Sequence, residues 1–193
     1  MALPQVGSLI SLPALDHPEL VAPPVAAALA LWAAAAPSDG QAAGQAVRDS
    51  VAVVEIDPAV ADTAAMSAAY DLPMSIGANC VLVSGRREGE ERIAACLVRA
   101  DTRADVNNLV KRTLDVRKCS FLPMERAVAE SGMEYGGITP VGLPAGWRVL
   151  IDPRVLEIDA VIIGSGLRRS KLVVAGPAFA TLPGAEIVPG LGG

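Results

Sequence analysis

The stretch "SGMEYGGITPVGLPAG" (131–146) decides how this chain is interpreted, because it is rich in glycine and proline within a sequence that is 52% hydrophobic. Its glycine pair permits positive φ angles and lets a ligand approach the backbone closely. Pro140 restricts the backbone and has no N–H to donate. The amides of Gly137, Ile138 and Thr139 are therefore candidates to hold an anion or a carbonyl oxygen. An ordinary surface turn has a similar composition, so the flanking segments must distinguish the two interpretations.

Hydrophobic runs separated by turn-forming residues surround this stretch. The predicted strands are 51–57, 78–85, 93–100, 118–123, 147–152, 160–166, 170–176 and 185–190. The predicted helices are 19–36, 58–72, 101–114 and 124–132, with a helical turn at 177–182 and, at 37–45, a loop or a helix start weakened by glycine. We expect Asp57 to cap the second helix and Asp101 or Thr102 to cap the third. Because short turns or single short helices join most strands, the sequence predicts a mixed α/β fold with a curled, largely antiparallel sheet and flanking helices.

The length of 193 residues favours one main domain. We assign residues 1–50 to an N-terminal arm and helical extension, and residues 51–193 to that domain. The apolar run 25–36 is too short to cross a bilayer, which needs about 20 apolar residues. The N-terminus also lacks the basic start of a secretory signal. We therefore expect a cytoplasmic protein with no membrane partner.

Composition argues against several classes of function. The net charge of −5 means that the surface as a whole does not attract nucleic acid. Cys80, Cys96 and Cys119 are far apart and form no CxxC pair, which argues against a disulfide framework and a zinc site. His17 is the single histidine and lies in an irregular segment, which argues against a histidine-dependent hydrolase. We expect no metal and no cofactor.

The spacing of the quoted stretch matches a known pattern. Ser131-Gly132, followed by the run 136–142, reads S-G-(x)3-G-G-I-T-P-V-G. This resembles the T-G-(x)3-G-G-(x)-S-P-(x)-G loop of the YbaK-type aminoacyl-tRNA deacylases, the free-standing relatives of the prolyl-tRNA synthetase editing domain. Asp152 after the next strand and the basic segment 165–169 also match that family. The resemblance extends over roughly residues 60–190 and implies a YbaK-like or prolyl-tRNA-editing-like fold.

This resemblance implies a hydrolase that cleaves the ester between a wrong amino acid and the 3′ end of tRNA. Loop amides would hold the carbonyl group, and a water molecule or the ribose hydroxyl of the substrate would attack. The residues thereby assigned to catalysis are Asn79, Gly136, Gly137, Ile138, Thr139 and Pro140. Those assigned to the substrate pocket are Cys80, Asp152, Ser165, Gly166 and Arg168. Two have structural alternatives, since Asp152 could cap the segment that follows it and Cys80 could be a packed core thiol.

The chain departs from the family at the start of the strand predicted over 78–85. The family carries a lysine followed by a threonine there, whereas this chain has Asn79 and Cys80. An asparagine side chain donates and accepts hydrogen bonds but carries no charge. Asn79 could act in an altered site, Arg168 or Lys171 could supply the positive charge, or the protein could bind its ligand without catalysis.

Two basic clusters are candidates for binding tRNA phosphates. One contains Lys111, Arg112 and Lys118, and the other contains Arg169 and Lys171. Solvated charged faces are the alternative for both clusters. The expected partner is the aminoacylated 3′ end of tRNA, an aminoacyl-tRNA synthetase is a further candidate, and a homodimer is left open.

Three functions are consistent with these observations. The first is a trans-editing deacylase. The second is a catalytically silent module that binds a tRNA end or an amino-acid-like ligand, which Asn79 favours. The third is a hydrolase of esters other than aminoacyl-tRNA that uses the same pocket.

Overall fold

The computed structural model of the chain describes residues 2–35 and 41–193. The strands are β1 (Leu12–Pro13), β2 (Val51–Glu55), β3 (Ala78–Arg87), β4 (Glu90–Arg99), β5 (Cys119–Phe121), β6 (Arg148–Ile151), β7 (Val161–Gly164), β8 (Ser170–Val174) and β9 (Ala185–Ile187). The α-helices are α1 (Pro23–Ala34), α2 (Gln41–Ser50), α3 (Thr63–Ala69), α4 (Lys111–Thr113), α5 (Met124–Ser131) and α6 (Pro153–Leu156). The end of the predicted helix 19–36 and residues 37–40 of the predicted loop lie outside the described residues. No helix within the described ranges is both long and apolar enough to cross a membrane.

The described strands form two sheets. The four-stranded sheet has the order β1-β2-β8-β7 and is antiparallel throughout. The five-stranded sheet has the order β5-β3-β4-β6-β9, in which β6 pairs in parallel with β4 and β9 while the other pairs are antiparallel. The mixed α/β class is confirmed. The predicted single curled sheet is not supported, because the strands divide between two sheets and neither sheet is strongly curled.

Capping residues explain where α3 begins. Asp57 caps only the short 3₁₀ turn Pro58–Val60, where its side chain accepts a hydrogen bond from the Ala59 amide. Asp62 then accepts from the Ala64 amide and starts α3. The helix predicted over 58–72 is therefore two helical segments joined at Asp62.

The helix predicted over 101–114 is also shorter than expected. It begins with a π-helical turn at Val106–Val110, and Asp105 caps this turn by accepting a hydrogen bond from the Leu109 amide. Asp101 is unavailable as a cap because its carboxylate pairs with Arg99. The predicted helix 124–132 matches α5, which ends where Gly132 takes a left-handed φ of 68°.

The N-terminal segment is part of the main hydrophobic core. Val25, Leu29 and Trp32 on α1 are buried in a cluster that includes apolar side chains of β2, β7 and β8. Trp32 also donates a hydrogen bond from Nε1 to Thr181 Oγ1 at 3.1 Å. Residues before 51 therefore bury apolar surface against the rest of the chain, and the proposed division at residue 50 stays a prediction.

The two faces of the five-stranded sheet are covered by different segments. On one face, Val83 and Leu150 pack against the helical segment 106–114. On the other face, Leu82 and Ala95 pack against Ile138, which belongs to the stretch quoted at the outset. This arrangement holds the glycine-rich segment against the sheet on the side away from α4.

Candidate functional site

A cavity of about 480 Å³ lies where the start of β3 meets β7, β8, the beginning of α3 and the segment after α5. That segment, residues 132–142, is called the glycine loop. Apolar side chains such as Met66 and Ile163 form much of the wall, and Asp62, Asn79 and Lys171 add polar groups. A cavity of this size and character is typical of sites for small organic ligands.

Hydrogen bonds fasten the glycine loop to the turn between β7 and β8. The Glu134 amide donates to the Gly166 carbonyl at 2.8 Å, and the Gly166 amide donates to the Gly137 carbonyl at 2.7 Å. The Glu134 carboxylate accepts from the Arg168 amide at 2.6 Å. The loop and the segment 164–168 therefore form one connected wall of the cavity.

Close backbone contacts explain two of the glycines. A Cβ atom on Gly137 would lie 2.7 Å from the Leu167 carbonyl oxygen, and one on Gly164 would collide with the carbonyl oxygens of Gly137 and Ile138. Gly136 has a φ of 83°, a left-handed conformation that other residues rarely adopt. A larger residue at Gly137 or Gly164 would therefore displace the loop.

Some loop amides are available to a ligand and one is not. The Gly137 amide donates to the Glu134 carbonyl at 2.9 Å, so it is not free to face a ligand as predicted. Among the residues that the structure describes, none accepts a hydrogen bond from the amides of Gly136, Ile138 or Thr139. Gly136 and Ile138 line the cavity, so their amides are the loop's candidate donors.

Lys171 on β8 extends into this cavity although it is only 5% exposed. Its Nζ donates to the Ala61 carbonyl at 2.7 Å and to the Gly136 carbonyl at 3.1 Å. Burial lowers the pKa of Lys171 to about 8, a shift that Asp62 opposes and Arg168 assists. No described carboxylate forms an ion pair with its ammonium group.

Arg168 and Tyr135 lie at the mouth of the cavity. The Arg168 guanidinium donates to the Tyr135 carbonyl at 3.1 Å and to the Pro58 carbonyl at 2.9 Å. Tyr135 lines the cavity while remaining 61% exposed. The mouth therefore offers an aromatic ring next to a positive charge.

Sequence comparison identifies the family behind this arrangement. A family model described as an aminoacyl-tRNA editing domain matches residues 57–182, about two thirds of the chain and all of the cavity residues named above. The chain belongs to the aminoacyl-tRNA editing domain family. The predicted family resemblance is thereby confirmed.

Solved structures share the fold of this editing domain. One is a protein proposed to be a trans-editing enzyme for prolyl-tRNA synthetase; it is 18% identical, with a TM-score of 0.66 and coverage of 86% of this chain and 93% of that one. A second is a hypothetical protein, also 18% identical, with a TM-score of 0.64 and coverage of 73% of this chain and 90% of that one. At these identities the likeness concerns the fold alone.

The editing domain brings together part of the predicted site. The predicted residues that line the cavity are Asn79, Cys80, Gly136, Ile138, Arg168 and Lys171. Gly137 lies directly behind them, against the Leu167 backbone. Lys171 was assigned to tRNA phosphates, and its burial in the cavity corrects that assignment.

Asn79 and Cys80 add no charge to the editing-domain cavity. Asn79 Oδ1 accepts a hydrogen bond from Thr63 Oγ1 at 2.8 Å. Burial raises the pKa of the Cys80 thiol, and neighbouring Cys96 raises it further. Since the thiolate is the nucleophilic form, Cys80 is a neutral wall residue of the cavity.

Asp152 does not lie at the cavity edge, contrary to the role that the resemblance implied. Its carboxylate is 1% exposed and accepts hydrogen bonds from the Arg154 amide at 2.9 Å, the Arg154 guanidinium at 3.0 Å and the Gly192 amide at 2.6 Å. Burial raises the pKa of Asp152, but these hydrogen bonds outweigh burial and lower the pKa overall. The capping alternative is correct: Asp152 starts α6 and holds the segment around Gly192.

Four other predicted residues lie behind or beside the cavity. Ser165 is buried, and its Oγ bonds within the turn between β7 and β8. A Cβ on Gly166 would collide with Ala22, so this glycine is needed for packing against the N-terminal segment. Thr139 is fully buried, and its Oγ1 has no partner within the described chain. Pro140 lines a separate cavity of about 240 Å³.

The first predicted basic cluster lies away from the cavity. Lys118 adjoins Gly85 near the hairpin end of β3, about 20 Å along the strand from Asn79 at the usual rise per residue. Lys111 and Arg112 belong to α4, on the sheet face opposite the glycine loop. These residues do not form one surface with the cavity.

The second predicted basic cluster is divided by burial. Arg169 is exposed, and its guanidinium donates to the Glu19 carbonyl at 2.5 Å. Lys171, two residues further on, is buried. Of the five residues assigned to tRNA phosphates, only Lys171 lines the cavity.

Sequence reasoning missed Asp62, Thr63 and Tyr135 as cavity residues. Tyr135 lies inside the quoted stretch, so an aromatic residue beside a glycine pair was the available signal. Asp62 and Thr63 reach the cavity because α3 starts at Asp62, a boundary that the sequence did not predict. Within the described ranges, no group of three His, Cys, Asp or Glu side chains could hold a metal ion.

Proposed function

We propose that this chain is a trans-editing aminoacyl-tRNA deacylase that hydrolyses the ester between a wrong amino acid and the 3′-terminal ribose of a tRNA. The observation that carries the proposal is the cavity itself, which is lined by two loop residues whose amides have no acceptor among the described residues, Gly136 and Ile138, and by Lys171 with its buried ammonium group. Membership of the editing family supports the substrate class. A cytoplasmic location, with tRNA as the partner, belongs to the same proposal.

The reaction adds water across the ester. The bond between the acyl carbon and the ribose oxygen breaks, the acyl carbon gains the oxygen of water, and the ribose oxygen gains a proton. The amides of Gly136 and Ile138 donate hydrogen bonds to the carbonyl oxygen. That oxygen becomes more negative in the transition state. Fixed donors therefore bind the transition state more strongly than the substrate, and this lowers the activation barrier.

Tyr135 supports a substrate that ends in a nucleoside. Its exposed ring at the cavity mouth can stack on the terminal adenine, an interaction worth about 1–3 kcal/mol per base. The Arg168 guanidinium beside it adds positive charge near the incoming phosphate backbone. A small ester without a base would lack the stacking contact.

The test is deacylation of a panel of radiolabelled Ala-, Cys-, Ser-, Thr- and Pro-tRNA. We expect wild type to release at least one amino acid, and Gly137→Val to lose about 10²-fold or more in rate because the loop donors move. Gly193→Val is the matched control, since nothing lies near a Cβ atom there. No release by the folded wild-type protein from any member of the panel would rule out the proposal.

A catalytically silent binding module is the second candidate, and Asn79 favours it. The side chain is uncharged and already holds a hydrogen bond from Thr63. If wild type is inactive on the panel, Asn79→Lys distinguishes the two functions. Activity that appears only in this variant supports the binding module, whereas activity in wild type excludes it.

A further inference from the structure

Lys171 carries a buried ammonium group that makes no ion-pair contact with a described carboxylate, and Asp62 acts on it only at longer range. Lys171 is 5% exposed, and both of its hydrogen-bond partners are neutral backbone carbonyls. Burying an unpaired charge is costly, and an aliphatic side chain would fill the same space without that cost. A lysine retained under these conditions needs an explanation beyond packing.

The geometry leaves one donor of Lys171 unused. An ammonium group has three N–H bonds, and the carbonyls of Ala61 and Gly136 accept two of them. Lys171 lines the cavity next to Gly136, whose amide, like that of Ile138, has no acceptor among the described residues. Three donors with no acceptor among the described residues therefore belong to residues that line one cavity, which suits an oxygen atom that carries negative charge.

We propose that Lys171 is a catalytic residue whose free N–H donates to an oxygen of the scissile ester and stabilises the negative charge that develops there during hydrolysis. The proposal rests on the deacylase function proposed above. Lys171 keeps its proton throughout. Water supplies both the oxygen that joins the acyl carbon and the proton that the ribose oxygen gains, so the reaction balances without proton transfer from lysine.

Other polar side chains of the cavity are less suited to this role. The Arg168 guanidinium is engaged by the carbonyls of Tyr135 and Pro58 at the cavity mouth. Asn79 is uncharged, and its Oδ1 is held by Thr63. The buried charge inside the cavity is therefore that of Lys171.

This role predicts how activity depends on pH. The charged or titratable groups that face Lys171 are Asp62 before α3, Arg168 on the turn between β7 and β8, Cys80 on β3 and Tyr135 on the glycine loop. Burial lowers the pKa of Lys171 to about 8. Since the charged form is the active one, the enzymatic rate should fall as pH rises through about 8, after the uncatalysed hydrolysis is subtracted.

The experiment compares wild type, Lys171→Met, Lys171→Arg and Arg103→Met on the aminoacyl-tRNA that wild type cleaves. Methionine has similar length without charge, and arginine keeps its charge at every pH used. Exposed Arg103 is the matched control for loss of one positive charge. The readouts are kcat, KM and the dependence of the rate on pH between about 6.5 and 9.5. This range extends about one and a half pH units on either side of the pKa of Lys171, which is about 8.

We expect Lys171→Met to lower kcat by about 10²-fold or more while KM changes little, as for loss of one donor to a developing oxyanion. Lys171→Arg should retain measurable activity without the fall above pH 8, and Arg103→Met should behave as wild type. A folded Lys171→Met with wild-type kcat would overturn the proposal. If that variant does not fold, a Lys171→Arg rate that still falls above pH 8 as in wild type would overturn the proposal. Inactive wild type would instead remove the deacylase function on which the proposal rests.

Discussion

At the scale of single residues, the positive charge of the cavity comes from a different strand than the family pattern suggests. The resemblance noted in the sequence places a lysine at the position of Asn79 on β3, whereas Lys171 is on β8, opposite Gly164 in the pairing with β7. Both side chains line one cavity because strands from both sheets border it. A side chain on either strand can therefore bring a charge into this cavity.

Asp152 provides a prediction at the same scale. Replacing it with alanine removes a buried carboxylate that accepts from Arg154 and Gly192, and leaves the Arg154 guanidinium with the Gly192 carbonyl as its remaining partner. We expect Asp152→Ala to lower the free energy of unfolding by about 1–3 kcal/mol, because the Gly192 amide and the start of α6 lose their acceptor. Denaturant unfolding measures this, with exposed Asp159→Ala as the control.

The same variant distinguishes the two roles once considered for Asp152. Because its carboxylate faces Gly192 and not the cavity, kcat of the folded variant should equal that of wild type. The pKa of Asp152 is lowered in the folded state, so the stability that it contributes is lost as pH falls. A large loss of kcat in a variant with wild-type stability would mean that Asp152 does act at the cavity.

At the scale of elements, sequence signals correctly predicted those helix ends and strand positions that depend mainly on neighbouring residues in the chain. Gly132 marked the end of α5, and the hydrophobic runs 78–85 and 93–100 located β3 and β4. The start of α3 was missed because Asp57 and Asp62 are equally good caps in the sequence, and only tertiary packing separates the segments that follow them. The division into two sheets was missed because pairing between β2 and β8 joins residues far apart in the chain.

The candidate site shows the same limit. The glycine loop was identified from its sequence pattern, because the glycine that the close approach to the Leu167 backbone requires is visible in the sequence itself. The burial of Lys171 was not, because "RRSK" looks like a solvated basic turn until β8 is placed beside the loop. Burial of a charge depends on long-range packing, which a single sequence does not display.

The glycine loop carries a prediction about substrate recognition. Tyr135→Ala removes the exposed ring at the cavity mouth and should raise KM for aminoacyl-tRNA by about 5-fold to 100-fold, the equivalent of one lost stacking contact. Tyr135→Phe keeps the ring and serves as the matched control. Steady-state kinetics on aminoacyl-tRNA and on an aminoacyl ester without a base measure the effect.

The comparison between the two substrates decides whether Tyr135 stacks on the base. With the ester that lacks a base, Tyr135→Ala should match wild type, since there is nothing to stack. Equal losses on both substrates would mean that the side chain shapes the loop instead. No loss on either would show that the ring has no part in recognition.

At the scale of the whole molecule, the part of the chain that matches the editing family is not a self-sufficient core. Residues 57–182 exclude β2, which lies between β1 and β8 in the four-stranded sheet. They also exclude α1, whose buried side chains complete the largest hydrophobic cluster. The segment before residue 57 is therefore needed for the sheet and the core that border the cavity.

Two neighbouring residues of α1 test this conclusion. Trp32 is 1% exposed and Leu31 is 68% exposed, so they differ in burial within one helix. We expect Trp32→Ala to lower the free energy of unfolding by about 3–5 kcal/mol and Leu31→Ala to change it by less than about 1 kcal/mol. Thermal or denaturant unfolding provides the measurement, and equal effects would contradict a core that includes α1.

The glycine loop is enclosed on two sides, by the segment 164–168 and by the start of α1. A Cβ on Gly142 would collide with the Pro24 backbone, just as one on Gly137 would press on Leu167. The loop thus loses its conformational entropy when the chain folds and not when substrate binds, so the substrate meets a preorganised surface. Loosening of the contact between Pro24 and Gly142 would therefore weaken substrate binding and slow turnover together, although neither residue touches the ester.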